Sequence, residues 1–230
     1  DGVLILDLDS PSMQVINSDG SIPEMCGNGL RCAALHLARR AEQTELDLSV
    51  RTTAGPHHCS VSNREGAESV AVEMVPPSLL PADLPLNAQA PWLDHVLEVR
   101  GRKIRVSAVS MGNPHAVTFD DVGKARFEIG PAIQADTRFP QGVNVGFVSQ
   151  HAGASMRLDV LERGAGWTQA CGTGACAAAV AAVETGRNER NQPLSMRLPG
   201  GTLEITVREP GRNVLMRGPA RFVFRGEVPL

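Results

Sequence analysis

Two short segments constrain this chain more than any other feature. Cys26-Gly27-Asn28-Gly29-Leu30-Arg31-Cys32 and Cys171-Gly172-Thr173-Gly174-Ala175-Cys176 share a Cys-Gly-x-Gly opening, and each runs into an apolar, helix-forming stretch. Such a turn places a thiol at a helix N-terminus, where unpaired backbone N–H groups and the helix dipole favour the thiolate. The match extends upstream. Asn17 lies nine residues before Cys26, and Glu162 nine before Cys171. Each ends a strand-like run (13–16 and 156–161) and is followed by a glycine-bearing loop. The whole unit recurs after 145 residues, an interval that points to a duplicated domain rather than a short-period solenoid. If the halves face each other about a pseudo-twofold axis, both thiols enter one cleft.

Around these turns the chain reads as short alternating strands with turn punctuation. The expected strands are 3–7, 13–17, 48–53, 58–62, 69–75, 96–99, 103–111, 115–119, 143–149, 155–162, 194–198, 202–208, 213–217 and 220–224. Pro199-Gly200-Gly201 predicts a hairpin. Two helices stand out. Leu30, Ala33, Ala34, Leu37, Ala38 and Ala41 form one apolar stripe, with Arg39 and Arg40 at its C-terminal end. The stretch 175–185 is nearly all Ala and Val and ends at Gly186, the pattern of a helix buried all round. A weaker helix is expected over 121–136. The fold class is therefore α+β: two pseudo-symmetric halves, each a curled, mainly antiparallel sheet around one buried helix. The Pro-rich stretch 76–91 reads as a linker. The halves are placed at 1–75 plus 218–230 and at 76–217.

Bulk properties narrow the function. With 230 residues, a net charge of −3 and aromatics at only 3%, the chain offers neither the positive field nor the stacking platforms that nucleic acid requires. No apolar run reaches the roughly 18 residues that span a bilayer, and no signal peptide opens the chain. Five cysteines, an odd number, argue for a reducing compartment, and the cytoplasm is the expected location. Neither cysteine pair has zinc-ligand spacing, so no metal is expected. Cys32 and Cys176 fall inside helices and Cys59 inside a strand, which reads as core packing. His57-His58 reads as a solvated strand end. His115, after the turn-forming Gly112-Asn113-Pro114, is placed to tune a nearby thiol.

Two thiols at matched helix N-termini suit proton chemistry at an amino acid Cα. A thiolate on one face removes the proton and a thiol on the other returns one, which inverts the centre without a cofactor. The α-carboxylate needs donors for its growing charge, and the backbone N–H groups around Gly27-Asn28 and Gly172-Thr173 would supply them. Asn17 and Glu162 would hold the α-ammonium. One cysteine must be ionised while the other is protonated, so their titrations are coupled.

Assembled in this order, the motifs resemble the diaminopimelate epimerase family over essentially the whole chain. The resemblance is carried by residues 16–21, 25–32, 110–115, 144–147, 162–166 and 168–176. It implies Cys26 and Cys171 as the catalytic bases, with Gly27, Asn28, Gly172 and Thr173 on the reacting carboxylate. Asn17 and Glu162 would contact the reacting amino group. Asn113, Asn144 and Arg163 would recognise the distal amino acid centre, where a planar guanidinium suits a carboxylate. His115 and Glu162 would modulate the thiols. It further implies conversion of L,L-diaminopimelate to the meso form in lysine and peptidoglycan precursor synthesis, a small-molecule substrate, no cofactor and a homodimer. Its C-terminal strand would return to the first half at about 218–230.

The chain departs from that family in three places. The usual opening Gly-x-Gly-Asn-Asp-Phe segment does not appear; Asp1-Gly2-Val3 begins inside a strand without Met, which reads as an N-terminal piece lying outside this numbering. Gly2 stands where some members place Gln, and Phe224 where some use an interfacial Tyr. Two alternatives stay open: a related cofactor-independent racemase acting on proline, hydroxyproline or histidine, and an inactive truncated thiol protein.

Overall fold

The structure is a computed structural model describing residues 2–17, 20–23, 25–64 and 67–227. Ser18 and Asp19 of the 16–21 motif, Asp1 at the chain start and residues 228–230 of the expected return strand lie outside the described residues. The chain divides into two compact units, Asp1–Glu73 with Arg217–Leu230, and Met74–Met216. Both are α+β.

The first unit holds β1 (Val3–Asp7), β2 (Ser12–Ile16), α1 (Gly27–Arg40), β3 (Glu45–Thr52), β4 (Gly55–Ser62) and β5 (Ser69–Glu73). Its strands lie in sequence order, β1 to β5. β2 and β3 are parallel and the other pairs antiparallel. Parallel neighbours need a crossover connection, and α1 is that crossover. Most of the expected stripe is its buried face: Leu30, Ala33, Ala34, Leu37 and Ala38 are buried against the strands, while Ala41, the last stripe residue, is the exposed C-cap. Cys32 is exposed, contrary to expectation. It falls outside the stripe, because residues of one helical face recur at three and four positions.

The second unit holds β6 (His95–Val99), β7 (Arg102–Ser110), β8 (Pro114–Thr118), α2 (Arg126–Gln134), β9 (Asn144–Ala152), β10 (Ser155–Glu162), β11 (Gly166–Thr168), α3 (Gly172–Glu184), β12 (Pro193–Leu198) and β13 (Gly201–Thr206). Its strand order is β13-β12-β10-β9-β8-β7-β6, with β11 on β10. β10 and β12 are parallel, and α3 is the connection between them. Thus the unit strand–turn–helix–parallel strand occurs in both halves of the chain. α3 is buried from Gly174 to Ala182, as its Ala and Val composition predicts. β12 and β13 form the expected hairpin, pairing Leu198 with Gly201. β14 (Leu215–Pro219) then carries the chain from the second unit back to the first.

Four further expectations change. The Pro-rich stretch is no loose linker: Leu84 and Leu86 pack with Trp92, Ile104, Phe139 and Phe147 in one core cluster. Its prolines break regular structure without keeping the intervening leucines out of the core. His57 is buried and only His58 is exposed, because β4 starts at Gly55 and its alternation turns His57 inward. The helix expected over 121–136 is a 3-10 turn at Gly123–Ala125 followed by α2, whose start at Arg126 puts Pro131 inside the helix. Residues 220–224 form no strand; Phe222, Val223 and Phe224 lie exposed beyond β14. Among the described residues no helix is long and apolar enough to cross a membrane.

Candidate active site

Each cysteine turn is built by its own N-cap. Cys26 caps α1 with φ −137° and ψ 109°, and Cys171 caps α3 with φ −130° and ψ 105°. The Gly29 N–H donates to Cys26 Sγ at 3.4 Å, and the Gly174 N–H to Cys171 Sγ at 3.3 Å. The Cys26 carbonyl accepts from Leu30 and the Cys171 carbonyl from Ala175. In each helix the first two N–H groups, Gly27 and Asn28 or Gly172 and Thr173, are therefore left without an intrahelical partner. Those are donors suited to a carboxylate. Glycine at the third helical position has a packing reason too: a Cβ on Gly174 would sit 3.1 Å from Cys171 Sγ.

In the first unit, Asn17 follows β2 directly. Its side chain donates to Ser21 Oγ at 2.9 Å, and its backbone closes a short loop with Gly20 and Ser21. Asn28 accepts from Arg31 Nη2 at 3.1 Å, and Arg31 Nε donates to the Pro219 carbonyl at 3.3 Å. Arg31 is buried. It ties the first cysteine turn to the returning strand, a role not read from the sequence. The only signal was a charged residue directly beside the apolar stripe.

In the second unit the expected residues converge more tightly. Glu162 ends β10 and accepts from Thr168 Oγ1 at 2.5 Å; Thr168, on β11, was given no role from sequence because a three-residue strand carries almost no periodicity. Asn144 is buried, donating to the Pro114 carbonyl at 3.0 Å and accepting from the Arg163 backbone N–H at 2.8 Å. The Arg163 guanidinium does not pair with Glu162; its Nη1 donates to the Gln141 carbonyl at 2.7 Å. His115, fully enclosed on β8, lies 2.9 Å from Asn113 Oδ1 through Nε2. The Asn113 amide donates to Thr173 Oγ1 at 3.5 Å, and Thr173 Oγ1 lies 3.6 Å from Cys171 Sγ.

Electrostatics revise one expectation. Burial pushes the Cys171 thiol up to about 12; the nearby Glu162 charge adds to this, and the Thr173 and Gly174 hydrogen bonds only partly offset it. The helix N-terminus does not by itself make this residue a thiolate, because desolvation of the charged form outweighs two weak donors. His115 moves the other way. Burial, aided by the positive charge of Arg163, lowers it to about 3. It is neutral at physiological pH, and because Asn113 Oδ1 can only accept, the ring hydrogen sits on Nε2 and is donated to it.

A family model described as diaminopimelate epimerase matches residues 3–80 and 107–223. Two curated relatives, both diaminopimelate epimerases, come from Stutzerimonas stutzeri and Pseudomonas entomophila. They are 45% and 46% identical over 219 residues, covering 94% of this chain and 78% of each relative. A solved structure of a probable proline racemase from Agrobacterium radiobacter shares the fold. Its TM-score is 0.63 at 16% identity, over 94% of this chain and 71% of that one. On the extent of the match and the identity to its relatives, the chain belongs to the diaminopimelate epimerase family.

Proposed function

We propose that this chain interconverts L,L- and meso-diaminopimelate without a cofactor, supplying the meso isomer for lysine and peptidoglycan precursor synthesis. The observation that carries this reading is the pair of matched N-capping thiols in a chain about 45% identical to diaminopimelate epimerases. Cys171 enters the reaction as a thiol, so Cys26 is the group that must supply the thiolate in that direction. The Cys26 thiolate takes the Cα proton and becomes a thiol. The electron pair left on Cα is held by the carboxylate, which accepts from the Gly27, Asn28, Gly172 and Thr173 N–H groups. The Cys171 S–H bond then breaks toward the opposite face of Cα, and Cys171 is left as the thiolate that starts the reverse reaction. The scheme requires both turns to serve one substrate.

Asn17 and Glu162 take the reacting ammonium. Glu162 is fit for this because Thr168 fixes one of its oxygens. Asn113, Asn144 and Arg163 take the distal amino acid head group, and His115 acts on the Cys171 thiol through its neighbours. We place the enzyme in the cytoplasm, on the ground of its odd cysteine count, and as a homodimer. The exposed apolar Phe222, Val223 and Phe224 support a dimer.

The test is Cα–H exchange in D2O, followed by NMR on L,L-diaminopimelate under reductant. Wild type should exchange and invert. Cys26→Ala and Cys171→Ala should each lose inversion by at least about a thousandfold, since each removes one of two obligatory proton carriers. Faster turnover of proline or histidine than of diaminopimelate would overturn the substrate.

A further inference from the structure

The two thiols differ in what stands behind them. At Cys171 the hydrogen bonds form a directed chain, all within the second unit. Neutral His115 donates Nε2–H to Asn113 Oδ1 at 2.9 Å. The other end of the same amide, Asn113 Nδ2, faces Thr173 and donates to Oγ1 at 3.5 Å. With a lone pair of Oγ1 occupied, its own hydrogen is free to turn to Cys171 Sγ, 3.6 Å away. We infer that His115, Asn113 and Thr173 act as a positioning relay whose terminal Thr173 hydroxyl donates to Cys171 whenever Cys171 is a thiolate.

The inference deepens the two-thiol reading and rests on it for its purpose. It also changes the part His115 plays. A ring that stays neutral cannot store a proton for the thiol; it can only hold an amide. The direction of donation matters, because a group at the end of the relay must help the anion without supplying a competing acid. A threonine hydroxyl is far too weak an acid to surrender its proton to a thiolate. Hydrogen bonds to a charged acceptor are the ones whose loss is most costly in a dry site. The other charged or titrating groups around this thiol are Glu162 at the end of β10, which opposes ionisation, and Arg163, whose charge acts on His115. Neither belongs to the relay.

The test needs no substrate. Each thiol is alkylated with iodoacetamide from pH 7 to 10 and quantified by peptide mass spectrometry, with Cys26 in the other unit as internal reference and the buried Cys59 and Cys176 as reporters of unfolding. Thr173→Val keeps the shape and removes the hydroxyl; it should slow Cys171 alkylation about fivefold or more at every pH below the midpoint, while Cys26 keeps its rate. Thr173→Ser should restore the wild-type rate. Asn113→Leu should slow Cys171 similarly, and His115→Gln, which still offers a donor, should slow it less than His115→Leu. A wild-type rate in Thr173→Val overturns the proposal. So does equal slowing in Thr173→Val and Thr173→Ser, which would make the methyl group responsible, or slowing in Thr173→Val without any in Asn113→Leu, which would leave the hydroxyl acting alone. Labelling of Cys59 and Cys176 in one of the leucine variants would pass the decision to the Thr173 pair, whose site is only half-buried at the start of α3. An intact relay in a protein that does not epimerise diaminopimelate would count against the proposed function and not against the relay.

Discussion

The turns at Cys26 and Cys171 have nearly the same backbone and the same Sγ-to-N–H geometry, yet their thiols live in different surroundings. Cys26 is half-buried, and its turn is braced by the buried cation Arg31 through Asn28. Cys171 is buried, faces the carboxylate of Glu162, and has the Thr173 hydroxyl beside it. Capping geometry is local and survives in both copies. Burial and nearby charge are not local in this way: Cys171 is the more deeply buried and has a carboxylate beside it.

The largest effect that probes this contrast concerns His115. Its pKa falls from an ordinary 6.5 to about 3 on folding, so between those values the unfolded chain binds a proton that the native chain refuses. Stability contributed by the neutral ring is complete above about pH 6.5 and is lost as pH falls toward 3. The loss reaches up to about 5 kcal/mol. Urea unfolding of wild type and His115→Gln at pH 7 and pH 4 measures it. The variant should show a clearly shallower acid loss, and parallel losses would mean that His115 is not kept neutral.

Next in size is the charge beside Cys171. Glu162→Gln removes a carboxylate that opposes ionisation, so Cys171 alkylation at pH 8 should accelerate about tenfold, one pKa unit, while Cys26 is unmoved. Inversion should fall in the same variant, since the proposed ammonium contact is lost. Equal acceleration at both cysteines would erase the contrast between the turns.

The smallest effect compares two glycines at equivalent helical positions. A Cβ on Gly29 would meet Leu4 Cδ2 at 2.9 Å and Met13 Sδ at 3.2 Å, both ends of flexible side chains. On Gly174 it would meet Cys171 Sγ at 3.1 Å and Val160 Cγ2 at 3.2 Å. Replacing glycine by alanine in a helix gains up to about 1 kcal/mol. Gly29→Ala should therefore leave the melting temperature within a few degrees of wild type. Gly174→Ala should cost inversion several-fold at similar stability, because the atom that must yield is the thiol itself. Melting curves and the NMR exchange assay on the same samples separate the two.

Much of this was legible in the residues. The stripe through Leu30, Ala34 and Leu37 marks the buried face of α1, and the Ala-Val run marks α3. The Cys-Gly-x-Gly pattern marks both helix starts. Where reading by pattern failed, a longer-range partner was the cause. Leu84 and Leu86 sit among prolines yet join a core built from Trp92, Phe139 and Phe147. Phe222, Val223 and Phe224 have strand-like composition but lie exposed beyond the end of β14. The three-residue β11 exists because it can pair with β10, not because Gly166-Trp167-Thr168 is a strand by itself.

By itself, then, the amino-acid order determined what near neighbours control: where the two thiols cap their helices, which donors each cap leaves free, and which helical faces are apolar. Steric limits and backbone hydrogen bonding act over a few residues, and they are written in those residues. Only the tertiary structure decided that Cys171 is a buried thiol, that His115 is neutral and holds Asn113, that Cys32 is exposed and that His57 is not. Those outcomes depend on how much water the surrounding strands exclude and which charges they bring near, and these strands are contributed by segments tens of residues away.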